Sequence, residues 1–128
     1  MPRILVIEDD HQVRMMLRMI LEEAGYEVDD AENGAKGFER IAERTPDLVV
    51  TDIIMPEKEG LEVIATLRRD YPRVPIIAIS GGGRLGPEDY LDLAGRLGAD
   101  SVFIKPVDRD DLLHVVSELL ERERAGAR

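Results

Sequence analysis

Glu8-Asp9-Asp10, Asp52, Ser80 and Lys105 are the residues whose types and placement could do chemistry together. Each lies at the carboxyl end of a short apolar run: ILVI leads into the first set, DLVVT into Asp52, and VPIIAIS and SVFIK end on Ser80 and Lys105. Carboxylates gathered from two adjacent strands repel one another, which raises a pKa or demands a cation among them. Oxygen ligands with room for water and phosphate oxygens suit Mg²⁺ rather than zinc or a caged calcium. A lysine adds a point charge that pairs with Asp52 or with an incoming anion, and a serine adds a hydroxyl donor. An aspartate nucleophile with a metal, a cation and a donor is what phosphoryl transfer asks of a protein, and an ionised carboxylate needs no separate base. Singly, each residue also has a plain structural role: Asp10 as a helix N-cap, Ser80 in a turn, Asp52 as loop punctuation. The set carries more than its members.

These residues have to be positioned by an alternation of strands and helices. Apolar, β-branched runs recur, each followed by a stretch with helical spacing, the pattern of a parallel sheet wound with helices. The first strand reads Arg3 to Ile7 and its helix His11 to Ala24, with Val13, Leu17, Ile20 and Ala24 in step and Gly25 as the stop. Tyr26 to Asp30 alternates apolar and acidic residues, as an edge strand does. Asn33 caps a helix with Phe38, Ile41 and Ala42 on one face, and Pro46 closes its connection. Asp47 to Thr51 is the third strand, followed by a helix from Glu59 to Asp70 built on Leu61, Ile64 and Leu67. Val74 to Ser80 is the fourth strand. A glycine-rich loop, Gly81 to Pro87, leads to a short helix, Glu88 to Leu97, then to a fifth strand, Ser101 to Lys105. A last helix, Val107 to Arg124, turns Leu112, Val116 and Leu119 inward, and the polar end ERERAGAR frays, residues 125–128 above all. Five β-α units in one α/β domain, residues 1–124, predict a doubly wound (βα)5 three-layer sandwich with strand order 2-1-3-4-5. Ligands of such sheets sit at the carboxyl ends of the strands, where the polar set lies.

Composition narrows the function classes. The 128 residues carry 17 Lys+Arg against 27 Asp+Glu, a formal charge of −10, which leaves no basic footprint for nucleic acid or an anionic membrane. A protein partner or a cation fits better. With 44% hydrophobic residues the chain can bury one core. There is no Cys, hence no disulfide, thiolate or Cys-ligated zinc, and His11 and His114 are too far apart in sequence for a multi-His site. His11 reads as a solvated residue at a helix start, His114 as an exposed or half-buried helix residue, and Met15, Met16 and Met19 as packing or surface. No run is long enough for a membrane span or a signal peptide, so the cytoplasm is the default address.

The segments ILVIEDD, VVTDIIMP, IIAIS and GADSVFIKPV resemble, in order and spacing over nearly the whole chain, the receiver domain of two-component response regulators. The resemblance implies the flavodoxin-like receiver fold and a phosphoacceptor switch that catalyses only its own phosphorylation and dephosphorylation. Asp52 would accept the phosphoryl group, and Asp9 and Asp52 would ligate Mg²⁺ with the carbonyl of Ile54, Glu8 helping through water. Ser80 would reorient toward the phosphoryl group and Lys105 would pair with it. The donor would be a histidine kinase, a histidine phosphotransfer protein or a small acyl phosphate. With no effector domain after the last helix, output would pass to a downstream protein target, from a monomer or a phosphorylation-dependent dimer.

Some positions depart from the family pattern. Three residues before Lys105, where an aromatic rotamer switch is common, stands Val102, and Phe103 should point into the core on the other face. The Gly81 to Pro87 loop is unusually glycine-rich and expected to be mobile. Ile54 and Gly82, two beyond Asp52 and Ser80, cannot orient an attacking water through a side chain. A long-lived phosphoryl group is therefore expected; rapid dephosphorylation unchanged by Ile54→Asn contradicts it. Other readings stay open here. Gly81, Gly83 and Gly86 match G-x-G-x-x-G, the fingerprint of a dinucleotide-binding domain, but not in the first βα turn and without the acid that should end the next strand. A haloacid-dehalogenase-type phosphatase would place its nucleophile after the first strand, with a second Asp two residues on. A receiver-like module that binds partners without phosphate would keep the fold alone.

Overall fold

The computed structural model describes residues 1–53, 59–81, 96 and 98–124. Five parallel strands, β1 (Arg3–Ile7), β2 (Glu27–Ala31), β3 (Leu48–Asp52), β4 (Ile76–Ser80) and β5 (Ser101–Ile104), form one sheet in the order β2-β1-β3-β4-β5. The helices among the described residues are α1 (His11–Glu23), α2 (Gly34–Glu43), α3 (Glu59–Asp70) and α4 (Arg109–Arg124). This is the doubly wound order expected from the strand and helix alternation.

Pleat alternation sorts the core into two layers. Ile4, Val6, Val50, Ile77 and Ile79 pack against Leu17 and Leu21 of α1 and Leu112 and Val116 of α4. Leu5, Ile7, Val49 and Ala78 pack on the other side against Ile41 of α2 and Val63, Ile64 and Leu67 of α3. β1, β3 and β4 are buried along their whole length, as strands covered on both faces must be.

Local signals set the element ends. The Asp10 side chain accepts from the backbone N–H groups of Gln12 and Val13, and Asn33 from that of Lys36, so both helices start where their caps sit. Gly25 takes φ +100°, the left-handed turn that ends α1. The last helix begins at Arg109 rather than Val107, because Asp108 caps it by accepting from the N–H of Asp111 at 2.9 Å. Its end stays helical to Arg124, and residues 125–128 lie outside the described residues.

Other departures are small and have physical reasons. β2 and β3 each sit one residue later than their apolar runs, β4 starts at Ile76 and β5 ends at Ile104, because pairing with neighbours, not composition, sets strand limits. Ala42 is exposed rather than inward: the inner face of α2 is Gly34, Gly37 and Ile41, with Phe38 half-buried at its margin. An added Cβ at Gly37 would lie 2.6 Å from Ile7 Cδ1, so the missing side chain lets the helix approach β1 closely. Phe103 is half-buried against the α1/α4 core while Val102 packs on the opposite side, so the two do face opposite ways. The Leu61 side chain, Ile54, the Gly82 to Pro87 part of the loop and, apart from Arg96, the Glu88 to Leu97 helix lie outside the described residues.

Candidate functional site

Sheet register brings the acidic residues together. Ile7 pairs with Thr51, so Glu8 and Asp52, one step further on, are neighbours across β1 and β3. Asp52 is the last residue of β3 rather than the first of a loop, and it pairs with Ile79 of β4. Glu8, Asp9 and Asp52 each offer a carboxylate oxygen within 4.8 Å of the others. Glu8 and Asp52 are buried, at 0% and 3% exposure, while Asp9 is exposed and opens the cluster to solvent.

Lys105 enters this cluster from just past β5. Its Nζ lies 3.2 Å from Asp52 Oδ2 and 3.1 and 3.3 Å from the two Glu8 oxygens. Only the Glu8 Oε2 contact of that last pair has hydrogen-bond geometry, so Oε1 is left buried without a hydrogen bond. Ser80 ends β4 on the same rim, fully buried, and its carbonyl accepts from the Lys105 N–H at 2.9 Å. Asp10, the third acid of the run, turns away as the cap of α1, the structural role open to it.

Burial dominates the electrostatics. It pushes the Glu8 carboxyl up to about 7; the hydrogen bond from the Asp10 N–H works against this, the Asp52 charge adds to it, and Lys105 again opposes it. Burial works to lower the Lys105 pKa, but its hydrogen bond to Glu8 and the Asp52 charge outweigh this and raise it, so the ammonium stays charged. Three carboxylates and one ammonium leave two negative charges when all are ionised, and a divalent cation would neutralise them. The open Glu8 Oε1, the exposed Asp9 and the all-oxygen donor set fit a hard ion of the Mg²⁺ class.

The sequence reading did not find Arg14. Its side chain is 11% exposed, and Nη1 donates to the Glu8 carbonyl at 2.8 Å. The available signal was a charged residue on α1 next to the inward Val13, four residues after the cap.

The model of the response regulator receiver domain matches residues 4–117. The chain belongs to the response regulator receiver family. The receiver is 34% identical over 119 residues to the chemotaxis protein CheY of Bacillus subtilis, covering 92% of this chain and 97% of that one. It is 35% identical over 124 residues to the DNA-binding dual master transcriptional regulator RpaA of Synechocystis, covering 95% of this chain but 50% of the relative. The receiver thus spans nearly all of one relative and half of the other. Among solved structures, a CheY-like receiver domain protein from Methanospirillum hungatei superposes with a TM-score of 0.87 at 29% identity, over 98% of both chains. No helix among the described residues is long and apolar enough to cross a membrane.

Proposed function

We propose that this receiver accepts a phosphoryl group on Asp52 from a phosphohistidine of a histidine kinase or a histidine phosphotransfer protein, and signals through a downstream protein. The observation that carries this reading is the Asp52 carboxylate at the end of β3, grouped with Glu8 and Asp9 and touched by the Lys105 ammonium at 3.2 Å. An Asp52 oxygen attacks phosphorus while the P–N bond breaks and the imidazole nitrogen leaves with the electron pair and gains a proton. Lys105 already touches the nucleophile and is placed to pair with the arriving negative charge. Ser80 contributes its hydroxyl as a donor from β4. Glu8, Asp9, Asp52 and the carbonyl of Ile54 would hold Mg²⁺, which when bound neutralises charge on the phosphoryl oxygens. The aspartyl phosphate adds about −1.5 to −2 charge to the rim, drawing Ser80 and Lys105 toward it and changing the surface beside β5 and α4. The chain acts only on itself and does not turn over a substrate. An acidic chain with these partners belongs in the cytoplasm.

Intact mass after incubation with acetyl phosphate tests this directly. A gain of one phosphoryl group (~80 Da) that needs Mg²⁺ and is absent in Asp52→Ala is expected. Absence of an adduct with acetyl phosphate and with phosphohistidine donors overturns it and leaves a partner-binding module that works without phosphate.

A further inference from the structure

The proposed Mg²⁺ site depends on how the Glu8–Asp9 peptide is held. The Glu8 N–H donates to the Ala31 carbonyl of β2 at 3.0 Å, and Glu8 Oε2 accepts from the Asp10 N–H at 3.0 Å and from Lys105. The Glu8 carbonyl, at the head of the peptide that leads into Asp9, accepts from Arg14 Nη1 at 2.8 Å. No hydrogen bond to another described residue holds the Asp9 carboxylate. Its direction is therefore set through its backbone.

Arg14 is itself braced on two sides. Its Nη2 meets His11 Nδ1 at 3.1 Å, and its Nε lies 3.7 Å from Asp30 Oδ1 on β2, a charge contact too long for a hydrogen bond. The other Asp30 oxygen accepts from Arg18 at 2.6 Å, which fixes the carboxylate in place. The guanidinium is thus a planar brace between the edge strand, the first turn of α1 and the carbonyl between two candidate metal ligands. A lysine has three donors but they radiate from a single nitrogen, so it lacks the spread, planar fork with which the guanidinium meets partners on different sides.

We infer that Arg14 is a positioning residue for cation binding: by fixing the Glu8–Asp9 peptide plane it aims the Asp9 carboxylate at the site shared with Glu8 and Asp52. The inference rests on the reading of that cluster as a Mg²⁺ site. Outer partners of metal ligands are commonly worth 10- to 100-fold in affinity. A brace and a mere charge predict opposite signs. Removing a positive charge near an acidic cluster tightens binding of a cation, whereas freeing the peptide weakens it.

The test is calorimetric titration of Mg²⁺ into the metal-free wild type, Arg14→Met and Arg14→Lys, with thermal melts to establish folding. The expected result is a Kd raised roughly tenfold in Arg14→Met and by a smaller factor in Arg14→Lys, with phosphorylation by acetyl phosphate recovering at saturating Mg²⁺. An unchanged or tighter Kd in folded Arg14→Met overturns the inference. Should Arg14→Met not fold, Arg14→Lys decides, and a wild-type Kd there overturns it equally. A wild type that binds no Mg²⁺ and forms no adduct brings down the reading of the site itself, which a failure confined to the Arg14 variants does not.

Discussion

At the residue scale, the site is a balance of charges in a half-dry place. The Lys105 ammonium touches the carboxylates of both Glu8 and Asp52, so removing it leaves them opposing one another. In Lys105→Met the metal-free protein should melt lower near pH 8, Mg²⁺ should bind at least about fivefold tighter by titration, and phosphorylation should slow. Glu8 gives the pH dependence its sign. Burial pushes its carboxyl up to about 7 in the fold from an ordinary 4.5, so the folded state holds the proton more tightly than the unfolded chain. The stability it contributes is full below the lower value and is lost as pH rises through the upper one. Urea midpoints of the metal-free wild type should therefore fall relative to Glu8→Gln between about pH 5 and about pH 8. Mg²⁺ binding should tighten over the upper part of that range, with release of a proton near neutrality that calorimetry in buffers of different ionisation enthalpy can count.

At the element scale, neighbours in the chain belong to different machinery. Asp10 caps α1 with its side chain, whereas Asp9 joins the carboxylate cluster with Glu8 and Asp52. Asp10→Ala should cost about 1 kcal/mol in chemical denaturation while leaving the Mg²⁺ Kd within about twofold, because the N–H that Glu8 accepts from is kept. Asp9→Ala should leave metal-free stability unchanged or higher and weaken Mg²⁺ binding by about tenfold or more. The edge strand β2 shows the same division. Asp30 faces Arg14 and Arg18 of α1, and Asp29 faces Arg40 of α2 and the buried Arg3, so charges on both pleat faces guard an edge that would otherwise pair with another chain.

At the scale of the whole molecule, a charge of −10 repels itself, so salt alone should stabilise the fold. Mg²⁺ should do more than Na⁺ at matched ionic strength, because it binds the folded site: at ten times its Kd the gain is about 1.4 kcal/mol. Thermal melts should show this excess in the wild type and lose it in Asp9→Ala. The parallel winding makes such a site affordable. Every β-α unit returns the chain to the same side, so all strand ends meet at one rim, and the two layers of buried aliphatic residues below it carry the stability that clustered acids cost.

Strand order was assigned as the commonest arrangement of five β-α units, and the alternation of apolar runs and helical spacing was enough for the order of elements and the rim on which Glu8, Asp9, Asp52, Ser80 and Lys105 lie. Those features follow from local periodicities of about 2 and 3.6 residues and from the handedness of β-α-β crossovers, which a single sequence carries. Pairing register is different, because it is fixed by partners far along the chain. Only the folded sheet set Glu8 beside Asp52, moved β2 and β3 one residue on, turned Ala42 outward and left Phe103 half-buried. Only it gave Lys105 a second carboxylate, Glu8, 97 residues away, beside the expected Asp52, and braced the Glu8 carbonyl with Arg14. Ion pairs act through space at a few ångströms, and no periodicity in the sequence announces which charges will meet.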